Sequence, residues 1–161
     1  MNPSNLAKKV WQDPIYFVGF GLGSGLIPIA PGTWGSLAAV LLYLLLAGLP
    51  LGVYLFFVLA AFFLGIWVCD KITRDLGEED YCGIVWDEVV GYLLTMTMAP
   101  VGLVWIIIGF LLFRLFDIWK PQPIRFVDER VKGGVGIMLD DVLAAVPAWL
   151  IMQLLVWGFV K

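Results

Sequence analysis

Residues 84–120 read IVWDEVVGYLLTMTMAPVGLVWIIIGFLLFRLFDIWK. Charge is confined to the two ends of this stretch: Asp87 and Glu88 at one, Arg114, Asp117 and Lys120 at the other. Residues 89–113 carry none, and Ala99-Pro100-Val101-Gly102 interrupts them. Proline removes a backbone donor and glycine loosens the chain, so the run breaks there. One continuous crossing of an apolar layer would place the two charged ends on opposite sides. A hairpin turning at Pro100 and Gly102 keeps them together. Basic residues choose between the two. With a hairpin and a cytoplasmic N-terminus, Lys8, Lys9, Lys71, Arg74, Arg114, Lys120, Arg125, Arg130 and Lys132 share one side, against Lys161 alone, a nine-to-one split. A single crossing gives five to five, with no bias. Cytoplasmic loops carry the Lys/Arg excess, so the hairpin is favoured. Its first arm starts near Ile84, because 89–99 alone rises only about 16 Å.

The same segregation extends along the chain. Nineteen of 23 charged residues fall in two belts, 70–88 and 114–141, separated by uncharged runs at 14–69, 89–113 and 142–160. The 161 residues are 61% hydrophobic and 14% charged, with mean hydropathy +0.95. Soluble domains are about half apolar and about a quarter charged. The composition therefore predicts an integral membrane protein. A first helix is expected over 36–49, a span over 51–69 and a last span over 142–160, kinked or frayed by Pro147. Residues 15–33, with five glycines and two prolines, read as irregular backbone packed at the membrane surface, too apolar for a wet loop. The fold class is all-α: a polytopic integral membrane protein, a small helical bundle with an irregular Gly/Pro-rich N-terminal segment and a helical hairpin, in one domain over 1–161.

Several classes are excluded. A net charge of −3 implies no nucleic-acid partner. The N-terminus lacks the apolar core and cleavage site of a signal peptide. Cys69 and Cys82 are too few for a disulfide framework. With no histidine in the chain, no histidine acts as base or phospho-acceptor. Neither cysteine is followed by arginine at Cys-x5-Arg spacing, and neither Asp-x-Asp nor Asp-Gly-x2-Ala-Arg occurs.

Four constellations carry chemistry. Asp87 and Glu88 form a carboxylate pair in an apolar frame, with Gly91 one turn on to admit a neighbouring helix or a substrate. Arg114, Asp117 and Lys120 share a helix face, either as a snorkelling ion-pair row or as ligand and phosphate clamp. Lys132-Gly-Gly-Val-Gly leads to Asp140 and Asp141 at the start of a span. Their side chains diverge by about 100°, so one caps while the other coordinates. Pro31-Gly32-Thr33-Trp34-Gly35-Ser36 precedes a helix and suits an anion at its N-terminus. Hard oxygen ligands beside cations suit Mg²⁺ and a phosphate. The bland alternative for each acidic pair is a helix cap. Ionisable groups at a membrane segment cost about 2.5–3.5 kcal/mol each at a helix centre, which favours function.

At these motifs the chain resembles the bacterial phosphatidylglycerophosphatase A family. The matching stretches are GLGSGLIPIAPGTWGSLAA, IVWDEVVG, FRLFDIWKPQPI and KGGVGIMLDDVLA, in family order over most of 20–145. Asp-Pro is expected near Asp80-Tyr81, and this proline is absent. The final span, 146–161, carries no distinctive motif. The resemblance implies an inner-membrane, Mg²⁺-dependent phosphatase that removes the terminal monoester of phosphatidylglycerol phosphate, with its site facing the cytoplasm and acyl chains along the spans. Metal ligands are then expected from Asp87, Glu88, Asp117, Asp140 and Asp141. Catalytic roles are expected among Asp87, Glu88, Asp117 and Asp141. Phosphate contacts are expected from Gly32, Thr33, Gly35, Ser36, Arg114 and Lys120, with Arg125 or Lys132 on the internal diester. Direct attack by water and an aspartyl-phosphate route both stay open, as does the oligomeric state. Two other readings stand beside this one: a phosphatase with broader lipid-phosphate specificity, and a non-enzymatic small membrane subunit or cation carrier.

Overall fold

Capping signals set the first elements. Asn2 accepts a hydrogen bond from the Ser4 N–H and Pro3 opens α1 (Pro3–Gln12). Asp13 repeats the device, accepting from the Ile15 N–H at 2.9 Å with Pro14 first in α2 (Pro14–Gly19). Residues 15–19, expected to be irregular, are therefore helical. A capped N-terminus with proline at its first position outweighs the glycines that follow. The chain turns irregular only where glycine is densest. Gly21 and Gly23 take positive φ of 54° and 91° ahead of a 3₁₀ turn at Ser24–Leu26.

The computed structural model describes residues 2–78, 81–122 and 124–159, and every regular element among them is helical. After α2 come α3 (Pro31–Leu46), α4 (Leu51–Leu76), α5 (Trp86–Thr95), α6 (Leu103–Trp119), α7 (Ile124–Arg130) and α8 (Gly133–Phe159). Lys161, which enters the charge count, and Asp80, beside the expected Asp-Pro, lie outside the described residues.

Three boundaries differ from expectation. Helix α3 starts at Pro31 rather than 36, because proline is pre-organised for a first helical position. The stretch Gly32–Ser36 is therefore the first turns of a helix, not the loop before one. Helix α4 continues beyond 69 to Leu76, where Gly77 at φ 72° terminates it. Helix α8 begins at Gly133 rather than 142, so Asp140 and Asp141 sit two turns inside it, and it runs on through Pro147. The glycines there serve packing. A Cβ on Gly134 would strike the Ile66 carbonyl and the Asp70 backbone of α4.

The interruption near Pro100 is a turn between α5 and α6. Helix α8 is the hub, packed against α4, α5, α6 and α7, while α3 covers α5 and α2 covers α4. Gly91 brings α5 onto α8: a Cβ there would stand 3.1 Å from the Asp141 carbonyl and overlap the Phe113 ring. An ion network ties the N-terminal helices down, with Lys9 Nζ 2.9 Å from the Tyr16 hydroxyl and 3.6 Å from Asp75, which also pairs with Lys71 at 3.0 Å.

The exterior is apolar. Leu45, Phe56, Phe63, Leu103, Leu154 and Trp157 are all exposed. Helices α4 and α8 are long and apolar enough to cross a membrane, and most of each faces outward. At 26 and 27 residues they are about 40 Å long, against a hydrocarbon layer of about 30 Å.

Candidate active site

The α5–α6 turn and the α8 hub carry three chain segments to one end of the bundle. Asp87 and Glu88 lie in the first turn of α5, Arg114 and Asp117 in the last turns of α6, and Asp140 and Asp141 within α8. One carboxylate oxygen each from Asp87, Glu88 and Asp141 falls within 4.8 Å of the others. Arg114 Nη1 is ion-paired to Asp117 and stands 3.9 Å from Glu88 Oε1.

Asp140 and Asp141 face different partners, as adjacent helical positions must. Asp141 joins the cluster. Asp140 Oδ2 is 2.6 Å from Lys120 Nζ. Lys120 reaches it from the C-cap of α6, where φ of 43° ends the helix.

Helix α3 closes one side through Gly32. A Cβ at this position would fall on the Glu88 carboxylate and 3.0 Å from Arg114 Nη1. Pro31 has no N–H, and the Thr33 N–H already bonds the Ala30 carbonyl at 3.0 Å. The Ser36 hydroxyl donates to the Gly32 carbonyl at 3.0 Å, inside the helix. Gly32 is thus the member of the Gly32, Thr33, Gly35, Ser36 set that abuts the acidic residues. Gly35 packs instead on Val85. Arg125 is exposed and paired with Glu129 on its own helix at 2.9 Å, and Lys132 is exposed. Arg125 is thus paired on its own helix, away from the carboxylates.

Burial makes the cluster costly as it stands. Asp141 is 2% exposed and Asp117 9%. Asp87 Oδ1, Glu88 Oε2, Asp141 Oδ2 and Arg114 Nε have no hydrogen-bond partner among the described residues. Several carboxylates held together away from water repel one another and forgo hydration unless a cation joins them. An all-oxygen donor set with unsatisfied buried oxygens fits a hard divalent ion such as Mg²⁺. Arg114, partly buried with its Nε–H unused, can hold an anion next to the cluster.

Fold and site together define an all-helical protein built around an oxygen-only carboxylate centre backed by a guanidinium. Residues 17–156 match the sequence model of the phosphatidylglycerophosphatase A family. The chain belongs to that family. It is 47% identical over 155 residues to phosphatidylglycerophosphatase A of Haemophilus influenzae, covering 94% of this chain and 95% of the relative. The protein of that name from Escherichia coli K12 is 42% identical over 136 residues, or 84% and 79% of the two chains. A Bacteroides thetaiotaomicron protein, provisionally named a phosphatidylinositol-3-phosphatase, is 39% identical over 148 residues, or 87% and 92%. No solved structure matches.

Proposed function

We propose that this protein hydrolyses the terminal phosphomonoester of phosphatidylglycerol phosphate, releasing phosphatidylglycerol and phosphate in phospholipid synthesis. The observation that carries it is the Asp87–Glu88–Asp141 oxygen cluster beside Arg114, in a chain of this family.

Asp87, Glu88 and Asp141 would hold Mg²⁺, which supplies Lewis-acid polarisation of the phosphoryl group when bound. Asp117 orients Arg114, whose remaining donors hold phosphoryl oxygens and offset charge as it develops. A cluster carboxylate takes the proton of the attacking water. The new P–O bond forms in line with the breaking bond to the glycerol oxygen, which leaves with the proton that this carboxylate returns. Lys120, paired with Asp140 at 2.6 Å, is the further cation assigned to the internal diester. The chain is read as multi-pass in the inner membrane, with this end on the cytoplasmic side, on the strength of its apolar exterior and its Lys/Arg distribution.

A second reading, broader specificity among lipid phosphomonoesters, is favoured by the Bacteroides relative's name. The test is phosphate release from phosphatidylglycerol phosphate, phosphatidic acid and a water-soluble ester, with Mg²⁺ and with chelator. Mg²⁺-dependent release from the first alone supports the proposal. Release from all three supports the broader reading, and release from none by folded protein removes both.

A further inference from the structure

Two apolar grooves run along α8 away from the carboxylates. The first, of about 200 Å³, lies between α4, α5 and α8 and is lined by Leu55, Leu94, Val142, Ala145, Val146 and Trp149. The second, of about 250 Å³, lies between α6, α7 and α8 and is lined by Phe116, Pro121, Leu143, Val146, Pro147 and Leu150.

Their register on α8 links them to the site. Ala145 and Trp149 lie four and eight residues beyond Asp141, so the first groove continues the face that carries Asp141. Leu143 and Pro147 lie three and seven beyond Asp140, so the second continues the Asp140 face. Pro121 follows Lys120 directly, which sets the mouth of the second groove beside the Lys120–Asp140 pair. Val146, half exposed, lines both grooves and forms the ridge between them.

Apart from Thr97 in the first groove and Gln122 in the second, the lining is apolar, and polar groups near the far end of the first groove are already used. The Thr97 carbonyl accepts from both Trp149 Nε1 and Gln153 Nε2 at 3.0 Å. We propose that these grooves seat the two acyl chains of the lipid substrate, one on each flank of α8, with Val146 between them. The inference rests on the lipid-phosphatase reading and adds a tail-binding subsite to it. A single-chain ligand would leave one groove bare. A polar ligand would find no free partner in the first.

The experiment pairs a long-chain diacyl phosphatidylglycerol phosphate with its dihexanoyl analogue. Bulk at the ridge intrudes on both grooves, so Val146→Trp should lower kcat/KM for the long-chain lipid by about tenfold or more, mainly through KM. It should leave the dihexanoyl analogue within about twofold. An equal loss on both substrates, or no loss on either, overturns the proposal. A readout independent of turnover uses the unmodified protein and a lipid with a diazirine midway along one chain. Adducts at Val146, Trp149 or Leu150 support the proposal, and adducts confined elsewhere overturn it. Disulfide-linked dimers of Val146→Cys in membranes would assign the face to a second copy and also overturn it. Should the unmodified protein release phosphate from neither lipid, the phosphatase reading falls, while the adduct map still judges the grooves.

Discussion

Arg114 on α6 stands 3.9 Å from Glu88 on α5, across the open end of a hairpin whose turn lies at the other end of both helices. The same guanidinium pairs with Asp117 one turn along its own helix. One cation therefore joins two acidic groups that are 29 positions apart in the chain.

Removing one carboxylate should separate activity from stability. Asp87→Asn is expected to lower turnover by about 10²-fold or more. In chelator it should raise stability by about 1 kcal/mol, or about 2–4 °C in Tm for a chain of this size, because a buried like charge is gone. Phosphate release and thermal unfolding of the same detergent-solubilised sample check both. Near-normal turnover would remove Asp87 from the mechanism.

Metal binding should appear as stabilisation. At Mg²⁺ concentrations about a hundredfold above Kd, the gain is about 2.7 kcal/mol, and chelator should reverse it. Asp141→Asn should flatten this dependence. A Tm insensitive to Mg²⁺ in the unmodified protein would sink the assignment of the cluster as its site.

Arg114 has a structural and a chemical part that a double substitution can separate. Arg114→Met leaves Asp117 buried without its cation, at a cost of about 3–5 kcal/mol. Adding Asp117→Leu should restore most of the stability but none of the turnover. Recovery of both together would mean that the pair is structural only.

Gly32→Ala places a methyl on the Glu88 carboxylate. The shift it forces should cost about 1–3 kcal/mol and reduce activity. Gly48 has open space around it, so Gly48→Ala is the matched control and should leave turnover unchanged. Equal effects at the two positions would show that close approach at Gly32 does not matter.

Lys120 and Arg125 make a further contrast. Lys120→Ala removes the ammonium 2.6 Å from Asp140 Oδ2 and should raise KM for phosphatidylglycerol phosphate. Arg125, paired on its own exposed helix, should tolerate alanine within about twofold. A larger effect at Arg125 than at Lys120 would move the diester contact to α7.

Apolar runs, charged belts and the break at Pro100 were legible in the chain, because hydropathy and proline chemistry act locally. They led to an all-helical chain, to a break between two arms and to a short roster of acidic and basic residues. Local signals also misled. The glycines at 133–136 read as lying ahead of a span that starts at 142, yet they are the start of α8, and Gly134 is small because α4 crosses there. Gly32 read as part of an anion-binding helix start; only the tertiary structure showed that its lack of a side chain also makes room for Glu88 and Arg114.

By itself, the sequence determined the residue types available for chemistry and their division into two belts. Tertiary structure alone decided the partnerships. Adjacent Asp140 and Asp141 went to different neighbours because successive helical positions diverge by about 100°. Asp87 and Glu88 met Asp141, 53 positions beyond Glu88, because Gly91 lets α5 lie close against α8. Such pairings depend on where helices cross, and helix crossings are set by side-chain packing over the whole bundle rather than by any one stretch.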